Sequence, residues 1–422
     1  MHEYKIFEIE GKNILFFPKS LNFYEINEYA KHKIFKEDFD EYLKDFFKKN
    51  DKYNSLLIQK SNFKNLPNKK TINHLTIDLI QDCNLQCKYC YGQEGTYGHK
   101  SRMDVNCINQ IKKFFGKDNH ERKILYFFGG EPLLNFKLIK KIVIELNKTY
   151  SNINYSLTTN GTIMDNEMAS FIKKEKIYTM ISLDGYEEEF QQLRLYKNNK
   201  NPYKDIINNI KILENNDVDF YVRSTLTKFN CNSNLYFIKN ISSNIKKLHT
   251  NLVVGNKEII PNKEMLEKYN SEIIKNYFSS DGILPSYFNY YISILNKKSF
   301  AGYYCGAGIN TITLNPSGDL YVCHRLNEDK RYFLGNIERD SMENIKKRLA
   351  LFKNEYYKMQ NFYKYDDCKK CWARLMCFNS CIHLRDNLKK FDIKKYYCEL
   401  IKINIKYSMF LSQQILERGK KQ

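Results

Sequence analysis

The sequence predicts an α/β protein: a partial (β/α)6 TIM-like barrel, with a small N-terminal α+β domain and a C-terminal cysteine-rich domain. Three observations predict this. Apolar strand-like runs alternate with helical segments between Thr71 and Gly255. The residues before them carry a hairpin signal and a helical pattern of their own. Ten of the 12 cysteines fall into two groups, one just after the first barrel strand and one beyond Gly302.

Composition narrows the class before any motif is read. With 422 residues, 42% of them hydrophobic and 15% aromatic, the chain can bury a sizeable core and is not disordered. No apolar run approaches the ~18 residues of a membrane span. The start, Met1-His2-Glu3-Tyr4-Lys5, lacks the apolar stretch of a secretory signal, so a cytoplasmic protein with no membrane partner is expected. The formal net charge is +20, yet lysine is spread along the chain rather than blocked. That reads as a solvated surface, and the absence of an RNA-binding module argues against nucleic acid.

Residues 1–70 form the small N-terminal domain. Tyr4–Glu8 and Ile14–Phe17 flank Gly11-Lys12-Asn13 as a hairpin, and Asn22–Ile26 follows as a third short strand. Phe35, Phe39, Leu43 and Phe47 recur at helical spacing, which predicts one helix over Phe35–Phe47. Asn62–Lys70, with Pro67, reads as a linker. Residues 71–255 are the barrel. Its strands are expected at Leu75–Ile80, Ile124–Phe128, Tyr155–Thr159, Thr179–Leu183, Asp219–Leu226 and Leu248–Val254. Helices are expected at Val105–Phe115, Phe136–Leu146, Glu167–Lys174 and Tyr203–Leu213. Residues 256–300 read as a helical, Tyr-rich bridge. Residues 301–422 form the cysteine-rich domain, with a hairpin at Thr311–Val322 and a terminal helix at Glu399–Glu417.

The first cysteine group, Cys83-x3-Cys87-x2-Cys90, directly follows the first strand. A tetrahedral zinc site would want a fourth ligand nearby, and His74 and His99 both lie outside the loop. Three thiolates on one tight loop suit three irons of a 4Fe–4S cube, leaving one iron open to a ligand. The pattern, with aromatic Tyr89 before the last cysteine, resembles the radical SAM superfamily, and the resemblance runs over about Thr71–Gly255. It implies that Cys83, Cys87 and Cys90 hold a cluster that binds S-adenosylmethionine. It further implies that Gly129, Gly130, Glu131 and Pro132 receive the methionine amino group, and that Tyr89, Thr159, Asn160 and Asp184 line the cofactor cavity. Ser182 and Arg194 are candidates for the methionine carboxylate or ribose, and Leu226 for the adenine. The implied chemistry is one-electron cleavage of S-adenosylmethionine to a 5′-deoxyadenosyl radical that removes hydrogen from an unactivated carbon.

The second group reads Cys305-x12-Gly318-x4-Cys323, then Cys368-x2-Cys371-x5-Cys377-x3-Cys381, then Cys398. A zinc ribbon is the sober alternative for the middle four. The whole arrangement resembles the SPASM extension of radical SAM enzymes that modify peptides and proteins. By that resemblance Cys368, Cys371, Cys377 and Cys398 hold a distal auxiliary cluster, and Cys305, Cys323 and Cys381 a proximal one, making three 4Fe–4S clusters. The fully ligated version has a further cysteine upstream of Cys305, whereas residues 293–304 contain none. An open iron there could take a substrate thiolate. Cys107 and Cys231 stand outside both groups and are expected to be buried structural thiols.

Among SPASM proteins, the run Cys-Lys-Tyr-Cys-Tyr-Gly-Gln-Glu-Gly-Thr-Tyr-Gly most resembles makers of cysteine thioether cross-links, the ranthipeptide and sactipeptide synthases. The implied partners are a ribosomally made precursor peptide with a leader and an external electron donor, flavodoxin or ferredoxin. The N-terminal domain would then be a leader-recognition element that captures an extended strand. Sulfatase-maturase-type oxidation of a Cys or Ser, or another radical C–C or C–O cross-link, is the alternative.

Overall fold

The computed structural model describes residues 2–52, 72–233, 241–255, 257–280, 283–298, 305–360, 365–377 and 381–419. The linker expected at Asn62–Lys70 lies outside them. The chain divides into two compact units, one of residues 1–68, 261–304 and 357–422, the other of residues 69–260 and 305–356. No helix among the described residues is long and apolar enough to cross a membrane.

In the first unit, β1 (Lys5–Ile9), β2 (Lys12–Phe17) and β3 (Asn22–Ile26) form an antiparallel sheet in that order. Glu10 and Gly11, both at positive φ, make the tight turn between β1 and β2. The single helix expected over Phe35–Phe47 is instead two, α1 (Glu28–Phe35) and α2 (Glu41–Asn50). Local polar chemistry overrides the apolar spacing. Asn27 caps α1 by accepting from Ala30 N, Asp40 caps α2 by accepting from Leu43 N, and Glu37 turns the chain between them at φ 54°. Phe35 is consequently 65% exposed, while Phe47 joins Leu15, Phe17 and Ile34 in the core of this sheet.

The second unit carries the barrel. Six strands lie side by side in chain order and pair in parallel: β4 (His74–Ile80), β5 (Lys123–Gly129), β6 (Ile153–Thr159), β7 (Tyr178–Ser182), β8 (Phe220–Leu226) and β9 (Ile245–Leu252). Helices α3 (Cys107–Phe115), α4 (Phe136–Asn147), α5 (Asn166–Lys174), α6 (Glu187–Leu193) and α7 (Tyr203–Asn215) fall between them in the chain. This is the part-barrel that the strand–helix alternation predicts. Alternate residues Leu75, Ile77 and Leu79 of β4 are buried, as are Leu125 and Phe127 of β5 and Tyr155 and Leu157 of β6. Together with Ile139, Ile142 and Val143 of α4 they supply its buried apolar core.

The expected hairpin is β10 (Thr311–Leu314) and β11 (Asp319–Tyr321), and its placement adds something unforeseen. β10 pairs in parallel with β4, Ile312 opposite Leu75, and β12 (Phe333–Asn336) pairs with β11, so the sheet has nine strands. Helices α8 (Lys263–Ser280) and α9 (Ser286–Lys297) occupy the expected bridge. Beyond α10 (Met342–Gln360) come the short α11 (Asp366–Lys369) and α12 (Arg374–Cys377), then α13 (Ile382–Lys390) and the long α14 (Lys394–Gly419).

Candidate active site

The loop with the first cysteine group starts where β4 ends, at the C-terminal edge of the parallel sheet. Its backbone is held on both sides. Gln86 N donates to Leu195 O at 2.8 Å and Lys88 N to Leu193 O at 3.0 Å. Opposite, Gly130 N donates to Ile80 O at 2.7 Å and Glu131 N to Asp82 O at 2.9 Å. Such approach requires glycine. A Cβ at Gly130 would stand 2.0 Å from the Asp82 carbonyl oxygen, and Gly129, at φ 135°, faces the Ile80 carbonyl in the same way. What these two glycines admit is the cysteine loop.

Glu131 is fully buried, and burial pushes its carboxyl up to about 7. Oε1 accepts from Leu133 N at 3.0 Å and from Thr159 Oγ1 at 2.7 Å, and Oε2 accepts from Asn160 N at 2.6 Å. Pro132 opens the short helical turn that follows. Asn160 continues the chain of contacts to the loop, donating Nδ2 to Asn84 Oδ1 at 2.8 Å and to Cys83 Sγ at 3.6 Å. Thus Glu131, Thr159 and Asn160, expected together from the ends of two strands, do meet.

A second knot ties the loop to β7 and β8. Tyr89 Oη donates to Asp184 Oδ2, and Arg194 Nε donates to both Tyr89 Oη and Asp184 Oδ2 at 2.5 Å. Asp184 Oδ1 accepts from Thr225 N at 2.7 Å, and the Asp184 carbonyl accepts from Asn230 Nδ2 at 2.5 Å. Arg194 is buried, so its charge is compensated by Asp184 rather than by water. Ser182 ends β7 opposite Arg223, and Leu226 ends β8 fully buried.

The three cysteines of the loop are half-buried. Burial pushes Cys83 and Cys87 up to about 12; the Glu131 carboxylate adds to this at Cys83, whereas the Arg194 guanidinium opposes it at Cys87, and Cys83 Sγ also accepts from Leu85 N at 3.4 Å. A buried thiol this reluctant to ionise becomes a thiolate readily only when a metal replaces its proton. Three soft donors on one loop, with N–H groups aimed at Cys83, fit an iron–sulfur cluster.

The second cysteine group is divided between the units. In the barrel unit Cys323 Sγ accepts from Arg325 N at 3.4 Å, and the His324 ring lies 4.4 Å from that of Phe128. In the other unit, burial raises Cys368 against the opposing charge of Lys394, with Cys371 adding a smaller push, and burial and then Cys368 and Cys371 raise Cys398. Cys381 Sγ accepts from Leu384 N at 3.2 Å at the start of α13. Cys377 ends α12, and both Cys305 and Cys377 are half-buried. Cys107 and Cys231 are buried, as expected of structural thiols.

Several residues that build the site escape the sequence reading. Gly95 stands at φ 80°, where a Cβ would lie 2.6 Å from Gly130 Cα and 2.8 Å from Cys83 Cβ. Asn84 bridges Asn160 and Thr162, and Asn230 holds Asp184. Asp78 is another, and its signal is an acidic residue type inside an otherwise apolar strand.

The radical SAM superfamily model matches residues 77–230, and that of the SPASM iron–sulfur cluster-binding domain matches residues 305–372. An uncharacterized protein of Methanocaldococcus jannaschii is 32% identical over 275 residues, covering 63% of this chain and 88% of the relative. A cysteine-type anaerobic sulfatase-maturating enzyme of Clostridium perfringens is 24% identical over 356 residues, covering 77% of this chain and 93% of the relative. The crystal structure of Streptococcus suis SuiB bound to precursor peptide SuiA shares the fold, with a TM-score of 0.56 and 15% identity over 92% of this chain and 97% of that one. With its cysteine loop at the sheet edge, its Gly-Gly-Glu-Pro turn and these matches, the chain belongs to the radical SAM superfamily, as a SPASM-type enzyme that uses S-adenosylmethionine and multiple 4Fe–4S clusters.

Proposed function

We propose that this enzyme matures a ribosomally made precursor peptide by joining a cysteine sulfur of the peptide to one of its carbons as a thioether. The observation that carries the radical chemistry is the Cys83–Cys90 loop seated on Gly129-Gly130, with Asn160 reaching Cys83. Cys83, Cys87 and Cys90 hold the cluster that binds S-adenosylmethionine. Cys368, Cys371, Cys377 and Cys398 hold one auxiliary cluster; the assignment of Cys305, Cys323 and Cys381 to the other rests on the sequence pattern. When bound, the first cluster supplies the electron that cleaves S-adenosylmethionine reductively. An external donor of the flavodoxin or ferredoxin kind renews that electron.

The chain's own residues position and shield. Gly129 and Gly130, partly exposed, bring backbone carbonyls to the methionine ammonium, and Glu131, buried behind them, holds the turn by accepting from Thr159 and Asn160. Ser182, at the end of β7, serves the carboxylate or ribose, and the backbone at Leu226, which ends β8, borders the adenine. Asp184, Arg194 and Tyr89 fix the loop so that its sulfurs keep their relative places.

The thioether reading is supported by a sequence feature: residues 293–304 lack the cysteine that would complete the proximal set. A site left open there suits a peptide thiol, because a metal holds sulfur deprotonated. Oxidation of a Cys or Ser to an aldehyde residue is the second reading, favoured by the sulfatase-maturating relative. Mass spectrometry of the peptide separates them. After incubation with S-adenosylmethionine and dithionite, a thioether leaves the peptide lighter by one H2, short of one alkylatable thiol and inert to hydrazide. A hydrazide-reactive product would establish the second reading and overturn the first.

A further inference from the structure

A cleft of about 430 Å³ opens between α8 and α14 beside the β1–β2 turn, all within one compact unit. Its floor is apolar, with Ile274 and Phe410 buried. Its rim is cationic. The Arg418 guanidinium lies over the Phe278 ring at 3.9 Å, and Lys275, about one turn earlier on α8, lines the same cleft. Among the described residues Arg418 has no carboxylate partner, although Glu417 beside it is held by Lys12 at 3.1 Å. Lys275 reaches Glu10 only at 4.0 Å with its side chain 71% exposed, and Glu10 also accepts from Tyr407 Oη at 3.3 Å. The last turns of α14 further expose two large apolar residues, Ile415 and Leu416.

A cation in the final turn of a helix suits the helix dipole. That explains a basic residue near the end of α14, and equally well on any face. It does not explain a guanidinium held against an aromatic ring in the lining of a cleft, where its N–H groups can serve a carboxylate. Hydroxyls from Ser271 and Ser279 line the same space. Two cations on the rim and an apolar floor together describe a receptor for a short segment with acidic and aliphatic residues.

We propose that this cleft anchors the precursor peptide, taking an acidic side chain between Arg418 and Lys275 and an adjacent aliphatic one over the apolar floor of Ile274 and Phe410. The assignment of a precursor rests on the function proposed above; the chemistry of the cleft does not. Lysine spread along the chain selects no partner, whereas the cleft sets two cations beside an apolar floor.

The test is fluorescence anisotropy on the full chain with a labelled peptide alternating Glu and Leu, its Gln–Leu counterpart, and labelled oligothymidylate. The Glu peptide should bind at least about tenfold tighter than the Gln peptide, and Arg418→Ala with Lys275→Ala should remove most of that difference. Arg418→Lys keeps the charge without the fork and should fall between, which guards against a general loss of fold. Release of 5′-deoxyadenosine without peptide should be unchanged in every variant. Equal binding of the two peptides, or unchanged binding by the double variant, overturns the proposal. So does oligothymidylate binding that depends on Arg418 more strongly than peptide binding does. If the Glu peptide binds as expected while no peptide is ever modified, the cleft stands and the peptide-maturation reading falls. If product forms at the original rate in the double variant, the reverse holds.

Discussion

Asn327 Nδ2 donates to Asp78 Oδ2 across 2.6 Å, joining the first barrel strand to the segment just after Cys323. Gln81 Nε2 donates to the same oxygen at 3.2 Å and approaches Glu328. Asp78 is fully buried, and burial pushes its carboxyl up to about 8. The strand is thereby latched through a carboxyl that stays protonated near neutrality.

The latch has a pH signature. Ionisation of Asp78 is suppressed in the folded chain and ordinary in the unfolded one, so the folded state binds the extra proton between its usual value of 3.8 and about 8. Its contribution is full at the acid end of that window and lost as pH rises through about 8. Asp78→Asn cannot ionise. Subtracting the variant's urea midpoints from those of the parent, across pH, should leave a difference that shifts in the parent's disfavour as pH rises. A flat difference would mean that Asp78 ionises normally.

Replacing Cys83, Cys87 and Cys90 together with Ala should lower reconstituted iron from roughly twelve to roughly eight per chain and abolish 5′-deoxyadenosine formation. Replacing Cys368 and Cys371 should lower iron while leaving peptide-free cleavage of S-adenosylmethionine intact. Iron near four in the parent protein would remove the auxiliary clusters from the scheme.

Arg194 is predicted to be structural first. Arg194→Ala strands a fully buried Asp184 and should cost about 3–5 kcal/mol in urea unfolding, whereas Tyr89→Phe should cost about 1 kcal/mol. Arg194→Lys restores charge without the guanidinium geometry and should recover part of the loss. Were Arg194 serving the methionine carboxylate instead, Arg194→Lys would raise the KM for S-adenosylmethionine with stability unchanged.

Gly130→Ala should destabilise the chain by about 1–3 kcal/mol, since the new Cβ meets backbone that has nowhere to yield. Cleavage of S-adenosylmethionine should fall with it, because the displaced neighbour is the cysteine loop. An alanine variant with parental midpoint and cleavage rate would show that the loop tolerates more room than its contacts imply.

The barrel was legible because periodicity is local. Strands such as Tyr155–Thr159 and helices such as Phe136–Leu146 announce themselves within a few residues, and the structure extends each only slightly. The helix read across Phe35–Phe47 failed where two Asx caps outvoted apolar spacing, a signal present at Asn27 and Asp40. Pairing of β10 with β4 was out of reach, because nothing in either short apolar run names a partner in the other half of the chain. In the site, cysteine spacing and Gly-Gly-Glu-Pro were readable as chemistry. The knot of Tyr89, Asp184 and Arg194 was not, since their proximity arises only once two strand ends and a helix end have converged.

The parallel pairing of β10 with β4 also bears on how the chain is born. Until Thr311–Leu314 leave the ribosome, β4 has β5 on one side and an unsatisfied row of N–H and C=O groups on the other. Nearly three quarters of the protein must therefore be synthesised with a hydrophobic strand edge open to any passing strand. A nascent or truncated chain that stops before Thr311 should aggregate through β4, and slow expression in the cold, or a chaperone that shields strand edges, should favour the intact protein. Sequence distance here sets a folding hazard that the finished sheet conceals.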